Sequence, residues 1–375
     1  MFFAYPALTP GEQPTICFCP RESVSFNFYS AIRGIDRGPG VSLPEREQLN
    51  MIRALALISG GLDSLLACRL IENQGIEVVG VHFKIPFCKL DIKKGVSGMG
   101  IELVEFDLGE DFLSLIGNPR YGFGARMNPC IDCKILMFKR AKALLEELNA
   151  DFVISGEVLG QRPMSQNKQA LNIIQQRSGL GDLLLRPLSA RFFEPSLPEK
   201  EGWVNRDLLL DFNGRVRTPQ IKLARELGIE DYLTPAGGCL LTDPCFSRRL
   251  EEALSHDELS LDNLELLKVG RHFRLGDKLK LVVGRNKNEN GILLSLARDG
   301  DCLFFPHKEL AGPVSLTRGV LSEDSAVLSS RITCAYSDTG GLEEISVFSR
   351  LMPGAERIER RTTCFPKENF VHLLI

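Results

Sequence analysis

No apolar run in the 375 residues is long enough to cross a bilayer, which excludes a membrane-spanning helix. The apolar start Met1–Tyr5 has no basic residues ahead of it and is followed by Pro6, so it does not read as a secretion signal. Net charge is also scarce: 45 Lys and Arg against 48 Asp and Glu leave −3. That excludes a uniformly basic nucleic-acid binder, and any basic surface must be local. The nucleotide signature GxxxxGK[ST] is missing. Cysteine is not scarce, but the 11 residues are scattered and odd in number. Without a secretion signal they read as reduced cytosolic thiols, some of them candidate metal ligands. What remains is ordinary for a soluble globular chain: 44% hydrophobic and 25% charged, enough for two or three domains.

The chain is organised around residues 55–66, LALISGGLDSLL. An apolar run stops at Ser59-Gly60-Gly61, and an amphipathic pattern starts at Leu62. This predicts a buried strand, a tight glycine turn and the first turn of a helix. The glycines let the backbone approach a ligand closely. The helix start offers unpaired N–H groups and a positive dipole end, which suits phosphate. Ser59, Asp63 and Ser64 add side chains to that cradle.

Residues 1–50 are rich in Pro, Gly and Ser and show no sustained period, so a disordered extension is expected. Met51 opens the first strand directly and is a candidate start; Cys17 and Cys19 form a CxC pair in this irregular setting. From residue 54 strands and helices alternate. Strands are expected at 54–58, 77–83, 102–107 and 151–156, and helices at 62–74 and 130–148. The alternation predicts an α/β fold, a parallel Rossmann-like sheet with helices on both faces. Ligands on such sheets sit at the carboxyl ends of strands, so the loops after Ile58, Phe83 and Ser155 should face one pocket. His82 and Phe83 end the second strand, where the PP-loop enzymes that SGGLDS resembles would hold adenine or ribose. Gly156, Glu157, Gln161, Ser165 and Gln166 cluster after the later strand, and Arg186 in LRPL suits phosphate or developing negative charge.

SGGLDS resembles the PP-loop of the ATP pyrophosphatases, in which the loop holds the β,γ-pyrophosphate of ATP. SGGLDS, GEVLGQRPMSQ and LRPL occur in the order seen in the tRNA 4-thiouridine synthetase (ThiI-like) branch, which resembles the tRNA 2-thiouridylases more distantly. The likeness covers about residues 51–250. It implies a HUP-type sheet, ATP, magnesium and a tRNA uridine as substrate, with Ser59, Gly60, Gly61, Asp63 and Ser64 on pyrophosphate and its metal. The sequence departs from that branch in showing neither a THUMP-type extension ahead of the loop nor a rhodanese-like domain after it.

Cys130 and Cys133 form a CxxC at the start of a predicted helix, where thiol pKa values fall, and Cys239 follows Pro235-Ala236-Gly237-Gly238. A close pair plus a distant third also occurs in cluster-dependent tRNA thiolases, which implies a 4Fe–4S cluster on Cys130, Cys133 and Cys239. Persulfide chemistry, a zinc site with Cys245 as fourth ligand, and inert thiols stay open beside it. Cys68, Cys88, Cys302, Cys334 and Cys364 sit alone in apolar patterns and read as core residues.

A smaller α+β domain is expected over residues 260–375. Helices are expected at 246–254 and 262–268, and strands at 278–284, 291–297, 302–305 and 343–348. Lys268, Arg271, Arg274, Lys278, Lys280, Arg285 and Lys287 face only Asp277 within their span, a density that suits a phosphate backbone or a solvated basic face. The wording KVGRHFR, then VGRN with Glu289-Asn290, resembles the NFACT-R RNA-binding domain. The expectation is therefore an ATP-dependent tRNA uridine thiolase. Its sulfur donor is sulfide or a persulfide carrier. A PP-loop ligase using ammonia, or a non-catalytic ATP- and RNA-binding protein, is the alternative.

Overall fold

The computed structural model describes residues 51–88, 92–96, 98–233, 238–354 and 356–375, and the backbone of Thr15–Cys17. The rest of the expected extension 1–50, with the side chains of the CxC pair, and residues 234–237 ahead of Cys239 lie outside the described residues. The chain forms two compact units, Met1–Leu108 with Pro129–Gly238, and Gly109–Asn128 with Cys239–Ile375. The domain boundary expected at 250–260 thus falls at Gly238, and residues 109–128 belong to the second unit.

The first unit is built on a sheet of order β1-β4-β3-β2-β5-β6. Its strands are β1 (Thr15–Cys17), β2 (Arg53–Leu57), β3 (Glu77–Lys84), β4 (Glu102–Asp107), β5 (Phe152–Ser155) and β6 (Leu184–Leu185). β2 to β6 run parallel, while β1 pairs antiparallel with β4 at the edge. A segment of the expected disordered extension therefore supplies an edge strand. In register, Leu57 lies beside Val81 and Ser155, so the carboxyl ends of the three central strands align.

Helix α1 (Leu62–Glu72) follows β2; α2 (Lys93–Val96) precedes β4; α3 (Gly109–Gly117) belongs to the second unit; α4 (Cys130–Glu147) precedes β5. Then come α5 (Lys168–Ser178), α6 (Leu197–Lys200) and α7 (Thr218–Glu226). Ala54, Ala56 and Ile58 of one sheet face pack with Leu62, Leu65, Leu66 and Ile71 of α1 and Ala224 of α7. Leu55, Val79 and Val153 alternate with them and are buried on the other face, and α4 packs against β2 and β5. Each fully buried leucine of α1 contributes about 1.5–3 kcal/mol, which pins the start of the helix to the sheet.

The second unit carries α8 (Pro244–Ser255), α9 (Leu261–Leu267), α10 (Lys287–Leu296) and α11 (Glu323–Ala335) with an antiparallel sheet. Its order is β12-β11-β9-β10-β8-β7. The strands are β7 (Arg271–Gly276), β8 (Leu279–Val283), β9 (Cys302–Pro306), β10 (Ser315–Gly319), β11 (Glu344–Leu351) and β12 (Ile358–Thr363). Residues 291–297, expected as a strand, lie almost wholly in α10. Asn286 caps that helix by accepting from Glu289 N at 3.0 Å. Leu293 is its buried anchor beside Ile292 and Leu296, and so short an apolar run carries no period of its own. Among the described residues no helix is long and apolar enough to cross a membrane.

His272 on β7 is completely buried, with Nε2 2.8 Å from Val269 O. Burial first, then the charges of Arg249 and Lys280, push its pKa well below 6.5. The unfolded imidazole therefore binds a proton that the folded one refuses. Stability from this residue is complete above pH 6.5 and is lost as pH falls below it. Urea denaturation at neutral pH and at about pH 5.5 should show a smaller acid-induced loss in His272→Gln than in the wild type; equal losses would remove His272 as the cause.

Candidate functional site

Gly60 follows β2 with φ +70, a conformation closed to most side chains, and an added Cβ would stand 2.8 Å from Leu233 Cδ1. Leu233 N donates to Gly60 O at 3.0 Å, so the loop is fastened from the far end of the unit. Gly61 is the N-cap of α1 and leaves the helix start uncovered by any capping side chain. Ser64 Oγ donates to Gly61 O at 2.8 Å and lies 3.4 Å from Ser59 Oγ, while Ser59 itself is exposed. The expected strand, glycine turn and helix start are all present.

Asp63, in the first turn of α1, is the focus of the site. Its Oδ2 accepts from Gln161 Nε2 at 2.9 Å and from Arg217 NH2 at 3.2 Å. Among the described residues Asp63 Oδ1, Gln161 Oε1 and Arg217 Nε are buried without a hydrogen-bond partner. Three orphaned polar atoms in one contact group are a costly arrangement unless a ligand completes it. A carboxylate oxygen in the first turn of a helix that no side chain caps fits a hard divalent cation such as magnesium. Arg217 was not singled out in the sequence; it stands 154 residues from Asp63, and no local pattern marks it.

The loop after β5 closes on the same place. A Cβ on Gly156 would lie 2.4 Å from Asp63 C and O and 2.5 Å from Ser64 N, so only glycine lets β5 meet the start of α1. Gly160 N donates to Gln166 O at 2.6 Å, and Leu159 N to Ser189 Oγ at 3.0 Å, which folds 156–167 into a compact loop. Ser165 and Gln166 are buried within it. His82 Nδ1 lies 2.9 Å from Ile58 O, so it donates there and leaves Nε2 as an acceptor. Burial lowers its pKa, which keeps the ring neutral. Phe83 points into the core, its ring centroid 6.2 Å from that of Phe106.

Arg186 is only 3% exposed. Its Nε donates to Glu157 Oε2 at 3.0 Å, NH1 to Gln175 Oε1 at 2.8 Å, and NH2 to Leu171 O at 3.3 Å. The guanidinium expected on phosphate is thus committed to Glu157, a buried carboxylate that also has Lys134 Nζ at 3.7 Å. Lys134 follows Cys133 in the first turns of α4. The pair therefore ties the CxxC helix start to the loop after β5, at the carboxyl edge of the sheet. Cys130 and Cys133 are half-buried there. Cys239 is half-buried in the second unit, where its carbonyl accepts from Thr242 Oγ1 at 2.8 Å. Among the described residues no three His, Cys, Asp or Glu side chains gather as a metal centre requires.

In the second unit the expected basic run is largely consumed by carboxylates from outside its span. Lys280, 5% exposed, contacts Glu252 Oε2 at 2.7 Å and Glu258 Oε2 at 3.0 Å. Arg274 pairs with Glu252 and Glu258, Lys268 with Glu265, and Arg285 with Glu289. Arg271 stacks 4.8 Å from the centroid of Tyr336, and Lys278 and Lys287 are exposed.

Residues 51–191 match the family described as thiamine biosynthesis protein (ThiI), and residues 270–369 match the NFACT protein RNA binding domain. The chain carries a ThiI-family domain. Two probable tRNA sulfurtransferases resemble it, from Methanothermobacter thermautotrophicus (30% identity, 45% of this chain, 42% of the relative) and Thermococcus kodakarensis (32%, 36% and 36%). A tRNA-specific 2-thiouridylase MnmA from Syntrophotalea carbinolica is 32% identical over 27% of this chain and 33% of its own. The chain spans less than half the length of these relatives. A crystal structure of a 4-thiouridine synthetase–RNA complex with bound ATP overlays only slightly, at 21% identity and TM-score 0.33 over 58% of this chain and 52% of that one. The glycine loop, Gly156, Gln161 and Arg186 lie inside the ThiI-family match, and Arg217 lies beyond it.

Two substitutions check this geometry. Gly156→Ala should lower stability by about 2 kcal/mol, because its methyl meets backbone that cannot yield; denaturation midpoints matching the wild type would refute the close approach. Lys280→Ala should cost about 3 kcal/mol by leaving two half-buried carboxylates short of a cation, and Lys278→Ala less than about 0.5 kcal/mol. Equal effects of the two lysine changes would refute the internal ion-pair assignment.

Proposed function

We propose that the chain is an ATP-dependent tRNA uridine thiolase that works in the cytoplasm and releases AMP and pyrophosphate. The observation that carries this reading is the Asp63–Gln161–Arg217 group at the glycine loop of a ThiI-family domain. The names of the relatives, tRNA sulfurtransferase and tRNA-specific 2-thiouridylase, support the substrate.

In this reading Ser59, Gly60, Gly61, Ser64 and the start of α1 hold the β,γ-pyrophosphate of ATP. Asp63 would hold a magnesium ion, which would supply charge neutralisation on the phosphate oxygens. Arg217, already at this carboxylate, neutralises charge as pyrophosphate leaves. Gln161 keeps Asp63 in place throughout. Neutral His82 offers Nε2 to a hydroxyl or amino group of the nucleoside. A uracil carbonyl oxygen attacks the α-phosphorus and pyrophosphate departs. Sulfur then attacks the ring carbon, and the former carbonyl oxygen leaves with AMP. Orientation and preorganised charge account for the first step.

The sulfur step belongs to Cys130, Cys133 and Cys239. Iron held by the three thiolates, or a persulfide on one of them, is the sulfur carrier in this reading. The NFACT RNA-binding domain is the expected grip on tRNA.

The test is pyrophosphate release by the full chain with ATP, magnesium and unmodified tRNA. Release should depend on tRNA, vanish in Asp63→Asn, and fall about a hundredfold in Arg217→Ala with partial recovery in Arg217→Lys. Release that persists in Asp63→Asn, or that ignores tRNA, would overturn the proposal.

A further inference from the structure

The sequence leaves Cys334 and Cys364 as isolated core residues, and the proposed reaction makes no use of them. In the second unit they are neighbours. Cys334 ends the covered face of α11 and is fully buried; Cys364 follows β12 and is half-buried. Their Sγ atoms stand 2.6 Å apart across 30 residues of sequence. Both join one cluster with Cys302, Phe304, Ala326, Ile345 and Val347, so neither sulfur has room to retreat. Cys364 N donates to Glu343 O at 2.8 Å, which fixes the backbone on the strand side. The helix fixes the other. We propose that Cys334 and Cys364 form a built dithiol site that takes an intrachain disulfide by exchange with low-molecular-weight disulfides.

The step balances without a further redox partner. The Cys364 thiolate attacks one sulfur of the incoming disulfide, and one small thiol leaves. Cys334 gives up its proton and attacks Cys364 Sγ in the mixed disulfide, and the second small thiol leaves. Two protein thiols are oxidised and one disulfide is reduced to two thiols. Access orders the sulfurs. Burial, then the adjoining Cys364 sulfur, raises the Cys334 pKa to about 12, so Cys334 is protonated at neutral pH and shielded. Cys364 meets the reagent first, and Cys334 resolves. The product would tie the end of α11 to β12, an edge strand that pairs only with β11 among the described residues. Cys302 shares the cluster, but its pKa is also raised by burial and its sulfur faces Leu303 O at 3.9 Å.

The full chain would be incubated with oxidised glutathione, alkylated and digested with trypsin. Residues 332–350 and 362–367 are tryptic peptides with one cysteine each. They should appear joined and lighter by two hydrogens, and the join should vanish with added dithiothreitol. Cys302→Ser should leave the yield unchanged. Oxidation should raise the melting temperature by about 5 °C, a rise absent in Cys364→Ser. Both peptides recovered alkylated after prolonged exposure, stable mixed disulfides with glutathione at Cys364, or a join to Cys302 would overturn the proposal. None of these readouts depends on tRNA or ATP.

Discussion

The Asp63 carboxylate is the constraint around which the first unit is arranged. A buried carboxylate needs donors, and two arrive from distant segments: Gln161 from the loop after β5 and Arg217 from the turn before α7. Gly156 lets β5 come close enough for Gln161 to reach. Leu233, further along, binds the glycine loop through Gly60. Both side-chain contacts engage Oδ2, and Oδ1 is left without a partner among the described residues. The polar atoms left unmatched here are the cost of a site preorganised for a charged ligand.

A second buried charge explains where the Arg186 guanidinium is held. Glu157 is enclosed at the end of β5, and a carboxylate there is tolerable only with a fixed cation. Arg186 supplies it with donors held by Gln175 and Leu171 O. Lys134 adds a weaker charge from the first turns of α4. The result is a positioning link between the CxxC helix and the nucleotide edge of the sheet. Arg186 supports the site from below.

The second unit uses charge for its own integrity. Glu252 and Glu258 gather Arg274 and Lys280 into a compact network near β7 and β8. Burial raises the Glu258 pKa, and hydrogen bonds from Arg274 with the charge of Lys280 outweigh it and bring the pKa below 4.5. Its contribution to stability is present above that pH and is lost as pH falls through the lowered value. The unit that contains the NFACT-type match therefore exposes fewer unpaired cations than its sequence advertises. Exposed Lys278 and Lys287 remain at its surface.

What the sequence determined by itself is what depends on neighbours along the chain. The strand–glycine turn–helix of SGGLDS, the alternating strand and helix runs named in the first unit, and the CxxC at a helix start are all local, and each appears where expected. Tertiary structure alone decided what depends on segments far apart. Arg217 joins the site across 154 residues, because only folding brings the start of α7 to α1. The basic run from Lys268 to Lys287 looked unopposed because Glu252 and Glu258, which pair with Arg274 and Lys280, precede it in sequence and meet it only in space. Residues 291–297 became helix because Asn286 capped them and Leu293 found a core, neither of which a seven-residue apolar stretch encodes. Charge compensation and burial are sums over three-dimensional neighbours, and a linear pattern carries only the neighbours a few residues away.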